Sequence, residues 1–374
     1  MAEYRMCTRC VMDTTDPEIV FDEDGVCNHC HTYVRMVRDY VVDGVEGQHR
    51  LEQLVEKIRK DGQGKKYDCV IGVSGGVDST YVAYVVNKFG LRPLAIHLDN
   101  GWDSELAVKN IEKTLKRLDI DLYTEVLDWE EFKDLQVAFL KASTPDSEII
   151  SDHAINAILG AMAEKIGVNY IIIGTNVRTE SHLPRAWSQG HSDWKYISEL
   201  HRRFGTRPLK TFPRYDFFTF YRRMFTQKRI EILNYIGYSK KEALKVLQDE
   251  LGWQYYGGKH YESIYTRFYQ GYILPEKFGF DKRRSHLSSL ICSGEMTRRQ
   301  ALEELNKPTY SPYMQEEDRE YVAKKLGFTD EQFTAIMNAP KRSYWDYPSY
   351  GQFMRKPLVK KLVPIVKKVV GWFK

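Results

Sequence analysis

Apolar residues recur with two different periods along this 374-residue chain, and the change of period divides it. Between about residue 66 and residue 173, short runs rich in β-branched residues alternate with longer stretches of helical period. The pattern predicts strands at 67–73, 93–98, 122–127 and 170–173, and helices at 79–89, 104–118, 129–142 and 150–166. Strands separated by helices of this length imply a parallel sheet covered by helices on both faces, an α/β fold. Ligands of such sheets sit beyond the carboxyl ends of the strands, which singles out the loops 74–79, 99–103 and 174–180.

On either side the alternation is absent. Residues 1–32 are too few to build an apolar core of their own. Residues 33–64 read as a mostly helical connector, with Leu51, Leu54, Val55 and Ile58 at helical spacing and Gly62-Gln63-Gly64 breaking it. After residue 180 the strand pattern fades, and 181–235 is rich in aromatics and Arg. Helices are then signalled by three capping boxes, Ser239-x-x-Glu242, Thr297-x-x-Gln300 and Thr329-x-x-Gln332. The expected organisation is a cysteine-bearing module (1–32), a connector (33–64), the α/β domain (65–235), a helical substrate-binding part (236–350) and a basic tail (351–374).

Composition changes this picture in one place. The formal net charge is +4, yet residues 355–374 hold seven Lys or Arg and no acid, leaving the rest of the chain at −3. A slightly acidic body argues against a broad nucleic-acid surface, so no nucleic-acid partner is expected. In the tail, Leu358, Leu362, Ile365, Val366, Val369, Val370 and Phe373 fall on one helical face, a pattern suited to a membrane surface or a docking partner, although Pro364 argues for a kink. The first residues lack the apolar core of a signal peptide and no run is long enough to span a bilayer, so a soluble, cytoplasmic protein is expected.

Candidate chemistry concentrates at two places. In Ser74-Gly75-Gly76-Val77-Asp78-Ser79-Thr80, between a buried strand and a helix, two glycines admit close approach of an anion. The free amides of the helix start point at that anion, Ser74 and Ser79 add hydroxyls, and Asp78 suits Mg²⁺ lying between it and phosphate. The loop lacks both the Lys-Ser/Thr ending of a Walker loop and a GxGxxG fingerprint. The second place is Cys7-x2-Cys10 with Cys27-x2-Cys30, spaced to close a tetrahedral zinc site of structural type, with an iron–sulfur cluster as competitor. His29 and His31 flank it as substitute ligands. Cys69 reads as a small buried apolar residue, and Cys292 as structural, since no partner base is evident.

Residues 257–305 form a dense polar block. Lys259, Lys282, Arg283 and Arg284 suit neutralisation of phosphates, and Glu262 with His260 or His286 suits removal of a proton from an incoming amine.

The Ser-Gly-Gly-x-Asp-Ser loop after a first strand resembles the PP-loop of N-type ATP pyrophosphatases, which cleave ATP to AMP and pyrophosphate while adenylating a substrate. That resemblance implies that Ser74, Gly75, Gly76, Asp78, Ser79 and Thr80 grip ATP, that Asp99 lies near the adenosine, and that Gly174 and Thr175 face the nucleotide. Together with the cysteine pairs and the stretch 277–304, the loop resembles the N-acetyl sugar amidotransferase family of bacterial surface-polysaccharide and flagellin-sugar biosynthesis. The family implies that an acetamido group on a nucleotide-activated sugar becomes an acetamidino group, in lipopolysaccharide O-antigen or related glycan synthesis. Asp78, Lys259, Glu262 and Arg283 are its candidate catalytic residues here. Residue 2 is Ala and no Gly-x-Cys-x-Gly elbow occurs, so the resemblance also implies ammonia from a separate glutaminase of the histidine-biosynthesis type. Two other readings compete: a tRNA-thiolating enzyme, which also joins a PP-loop to a zinc ribbon, and a non-catalytic nucleotide-binding scaffold.

Overall fold

A computed structural model describes residues 3–258 and 261–355. Lys259, His260 and the amphipathic tail beyond Arg355 lie outside the described residues. The four expected strands form as β1 (Cys69–Gly72), β2 (Pro93–Asp99), β3 (Leu122–Val126) and β4 (Tyr170–Ile173). The helices between them are α3 (Val77–Lys88), α4 (Glu105–Leu118), α5 (Trp129–Ala142) and α6 (Ile149–Ile166). Every pairing is parallel, in the order β3-β2-β1-β4-β5. The last strand, β5 (Lys228–Glu231), is absent from the hydropathy pattern. Lys-Arg-Ile-Glu can occupy an edge, where one side of the strand faces solvent and charge discourages pairing with another chain.

Alternation along the strands divides the interior in two. Val70, Leu94, Ile96, Leu98 and Ile171 face α5 and α6, whereas Cys69, Ile71, Ala95 and Ile172 face α3 and, beyond it, α10 (Lys240–Leu251). Burial pushes the Cys69 thiol up, as suits an inert core residue. The connector is a pair of helices, α1 (Asn28–Tyr40) and α2 (Gly44–Asp61), the second of which seats Leu51, Val55 and Ile58 in the α3 layer.

The chain after β4 is helical apart from β5, as the fading strand pattern implies. It runs through α7 (Val177–Glu180), α8 (Trp194–Phe204), α9 (Phe217–Thr226), α10, α11 (Ile264–Phe268), a π-helical segment over Tyr269–Phe278, α12 (Arg283–Ser293), α13 (Arg298–Leu305), α14 (Pro312–Leu326), α15 (Asp330–Asn338) and α16 (Tyr350–Met354). Pro275, which has no N–H to donate, lies inside the π-helical segment. The capping boxes at Thr297 and Thr329 close as expected, each with reciprocal side-chain bonds. Ser239 is the N-cap of α10 but its side chain makes no capping bond; instead the Lys240 amide donates to Glu295 Oε2 at 3.1 Å. Among the described residues no helix is long and apolar enough to cross a membrane.

Candidate active site and cysteine cluster

Strand β1 has β2 on one side and β4 on the other, so its carboxyl end is the point where strand order reverses and a crevice opens. The Ser74–Thr80 turn lies there. Gly75 adopts φ +78°, and a Cβ on it would stand 2.9 Å from the Ala107 carbonyl oxygen, so the turn requires glycine both for its backbone and for its fit against α4. Thr80 N–H is bonded to Gly76 O at 3.0 Å, which leaves the amides of the preceding turn without helical acceptors. Ser79 Oγ receives the Ser74 amide at 3.2 Å and lies 3.1 Å from Ser74 Oγ, folding the two hydroxyls into one concave face. Trp253 Nε1 donates to Gly75 O at 3.1 Å and fixes the turn from outside. The exit of β4 presses on the same feature, since a Cβ on Gly174 would lie 3.0 Å from Ser79 N. Thr175, next to it, is exposed. Strand, turn and helix therefore present an amide-lined cradle that suits a polyphosphate.

Carboxylates ring the cradle. Asp78 accepts a hydrogen bond from Tyr238. Glu262 is hydrogen-bonded to Tyr256, and its Oε1 would lie 3.9 Å from a Cβ on Gly76, with Tyr256 Oη at 3.7 Å. Burial, followed by the neighbouring carboxylates, holds both phenols up and protonated. Burial also raises the Glu295 carboxyl, with the Asp78 charge adding to it.

The position of Glu262 is set by backbone. Ser104 N donates to Glu262 O at 2.8 Å and Ile264 N to Trp102 O at 2.9 Å, around an antiparallel bridge between Asp103 and Ser263. This strap joins the loop after β2 to the start of α11. Beneath it, His97 places Nδ1 3.0 Å from Val73 O and Nε2 3.2 Å from Asp103 Oδ2, the latter an ion pair rather than an aligned hydrogen bond. Burial disfavours the His97 charge, but Asp103, with smaller help from the Val73 carbonyl and Asp99, makes the net shift upward. His97, Asp103, Tyr238, Trp253 and Tyr256 carry no sequence motif; only their spatial convergence marks them.

Other expected residues have polar groups engaged within the protein. Thr80 is buried at the inner face of α3 with its amide committed to Gly76, so it is not available to a ligand. Asp99 accepts from Gly101 N at 2.8 Å and shapes its own turn. Arg283 is a brace: its guanidinium pairs with Asp281 at 2.7 Å and donates to the carbonyls of Glu304, Lys307 and Pro308. Lys282 lies against Glu148 at 3.4 Å. Arg284 reaches the cysteine module, pairing with Asp13 at 3.0 Å and donating to Val11 O at 2.9 Å. Long basic side chains in the block thus hold segments together, because their forked donors find backbone carbonyls before they reach the cradle.

The four module cysteines are fully buried and their ligand atoms lie within 4.8 Å of one another. Sγ separations of 3.9 Å (Cys7–Cys30), 3.6 Å (Cys10–Cys27) and 3.8 Å (Cys27–Cys30) match the edge of about 3.8 Å for a tetrahedron with metal–sulfur bonds of about 2.3 Å. The donor set fits one ion such as zinc and is too tight for a four-iron cluster. His29 and His31 turn outward to Asp16 and Asp22, each at 2.7 Å, and are not ligands. The carboxyl-terminal helices clasp this module: Arg298 donates to the carbonyls of Cys7 and Cys10, and Ser288 Oγ receives the Val11 amide at 3.2 Å. Cys292, expected to lack a partner base, has His182 Nε2 at 3.5 Å.

Residues 262–362 match the family described as LPS biosynthesis protein WbpG-like, C-terminal domain. The match begins at the strap and includes α12 and α13. An uncharacterized protein of Methanocaldococcus jannaschii is 23% identical over 323 residues, covering 84% of this chain and 97% of its own length. The tRNA-specific 2-thiouridylase MnmA of Pediococcus pentosaceus is 26% identical over 152 residues, 35% of this chain and 40% of that enzyme. Among solved structures, NMN synthetase from Francisella tularensis matches 36% of this chain and 57% of its own, at 20% identity and a TM-score of 0.28. The chain thus joins an amide-lined cradle at the head of β1 to a carboxyl-terminal part that matches the WbpG-like C-terminal domain of LPS biosynthesis proteins.

Proposed function

We propose that this protein is an ATP-dependent amidotransferase that converts the acetamido group of a nucleotide-activated sugar into an acetamidino group during lipopolysaccharide synthesis. The single observation that supports it most is the approach of Glu262, the first residue of the WbpG-like part, to Gly76 of the Ser74–Ser79 cradle. The site would work in the cytoplasm on a soluble sugar nucleotide.

An amide carbonyl is a weak electrophile. The substrate's amide oxygen attacks the α-phosphorus of ATP, pyrophosphate leaves, and an imidoyl-adenylate results. Ammonia then attacks the imidoyl carbon, a proton is removed from nitrogen, and AMP leaves with the former amide oxygen. The cradle amides and the Ser74 and Ser79 hydroxyls hold the pyrophosphate portion as charge builds on it. Asp78, steadied by Tyr238, would hold Mg²⁺, a hard ion suited to carboxylate oxygen, which offsets phosphate charge when bound. Glu262 faces the crevice as the acceptor for the ammonium proton, and Tyr256 keeps its carboxylate oriented. Zinc at the four cysteines is structural. Ammonia is scarce as a free nucleophile near neutral pH, so a separate glutaminase is the proposed supplier.

The test is incubation with ATP, Mg²⁺, ammonium and nucleotide-linked acetamido sugars, followed by mass spectrometry. Replacement of oxygen by NH is expected to lighten the sugar by about one mass unit, with AMP in equal amount. AMP formation with tRNA and none with any acetamido sugar would favour the second reading, tRNA thiolation, whose support is the similarity to the 2-thiouridylase.

A further inference from the structure

We propose that Cys30, His182 and Cys292 form a second metal site, which holds a divalent ion of the zinc class next to the four-cysteine ion, shares Cys30 with it, and keeps one coordination position open.

The three ligand atoms lie within 4.8 Å of one another although they come from three separate segments, the module, the turn after α7 and the end of α12. Their spacing is that of a coordination shell. Cys30 Sγ and Cys292 Sγ are 3.8 Å apart, and Cys292 Sγ and His182 Nε2 are 3.5 Å apart. Metal–sulfur and metal–nitrogen bonds of about 2.3 Å and 2.05 Å give tetrahedral edges of about 3.8 Å and 3.5 Å.

An independent observation concerns the histidine. His182 is fully buried, and its Nδ1 lies 3.1 Å from Ser289 Oγ and 3.3 Å from Ser181 Oγ. Ser289 already donates its hydroxyl proton to Ser285 O at 3.2 Å, so at the histidine it accepts. An accepting Ser289 suits a proton on Nδ1, and with the proton there Nε2 directs a bare lone pair at Cys292. Orientation of a ring by a bond to its far nitrogen is the arrangement found behind metal-ligating histidines.

Cys30 suits a bridging role. Backbone amides donate to Cys7 from Cys10 and Cys27 and to Cys10 from Met12, which withdraws electron density from those sulfurs. The contacts of Cys30 Sγ are instead with other sulfurs, including Cys292. Four thiolates around one dication leave a doubly negative buried centre. A second dication, bound with loss of the Cys292 thiol proton, offsets that charge. Three protein ligands on the second ion, with Cys292 only half-buried, leave its fourth position to water or another small Lewis base.

Metal content of the full-length protein decides the matter. After dialysis in metal-free buffer, about two zinc ions per chain are expected, falling to about one in Cys292→Ser and in His182→Ala. Ser289→Ala removes the nearer of the two hydroxyls at Nδ1, and is expected to weaken the second ion by about 10–100-fold and leave the first in place. Cobalt titration gives a separate readout: the second equivalent should add thiolate charge-transfer absorption that Cys292→Ser abolishes. One zinc per wild-type chain even after titration with excess zinc would overturn the proposal. So would two ions retained in both Cys292→Ser and His182→Ala.

Discussion

The phosphate cradle and the cysteine clasp are built in opposite ways. The cradle is drawn from seven consecutive residues that run from the turn after β1 into the first turn of α3, and its geometry follows from local backbone: a left-handed glycine, a helix start and two serines five positions apart. The clasp joins Cys7 to Arg298 and Val11 to Ser288, contacts between segments nearly 300 residues apart, around four cysteines that could hold one ion. A third feature, the strap, holds Glu262 beside the cradle through two backbone hydrogen bonds. On the proposed function, the local motif holds the nucleotide, and the segments brought in from a distance supply the groups around it. Changes in the two regions should therefore separate nucleotide handling from integrity and substrate handling.

Metal removal should have the largest effect. Binding energy of a structural ion in so small a module is folding energy, on the order of 10 kcal/mol. A strong chelator, or Cys27→Ser, is expected to expose residues 1–32 to limited proteolysis while the parallel sheet and its cradle still bind ATP. Equal loss of both would show that the clasp and cradle fold as one unit. Next, Asp78→Ala is expected to lower AMP production by about 10²–10³-fold, and to reduce stability by about 1–3 kcal/mol because buried Tyr238 loses its acceptor. Quenched-flow product analysis and denaturant melts measure the two effects separately.

A smaller loss, about 10²-fold in turnover, is expected for Glu262→Gln. The strap bonds use its backbone, so the KM for ATP should stay near wild type; a matching rise in KM would place Glu262 in nucleotide binding instead. The smallest effect concerns pH. The folded state raises the His97 pKa, so this pair stabilises the protein fully below the ordinary histidine range and loses its contribution as pH rises through the folded value. Melting temperature should fall across that interval in the wild type and change less in Asp103→Asn. A slope unchanged by the substitution would show that His97 does not titrate with its partner.

The sheet was legible because strands β1, β2 and β4 are apolar runs and the helices between them keep their period. The cradle was legible because every group it uses lies within one motif. Edge strand β5 was not, since Lys228 and Arg229 face solvent and leave no alternation to read. The polar block misleads in a different way. Charge and spacing make Arg283 resemble an anion ligand, but Asp281 and three carbonyls fill its donors. Burial turns Lys277 inward to Ser143 and the Ile336 carbonyl, lowering its pKa to about 8. His97, Tyr256 and His182 have meaning only through partners remote in sequence, which no local pattern encodes.

Transfer of oxygen tests the central claim most directly. A nucleotide-linked acetamido sugar with a heavy-oxygen label in its amide carbonyl is incubated with ATP, Mg²⁺ and ammonium, and the AMP is analysed by mass spectrometry. If the cradle adenylates the amide oxygen, the label is expected in AMP, one atom per amidine formed, and none should remain in the sugar product. AMP without label alongside amidine, or amidine formed with ADP as the nucleotide product, would contradict the account.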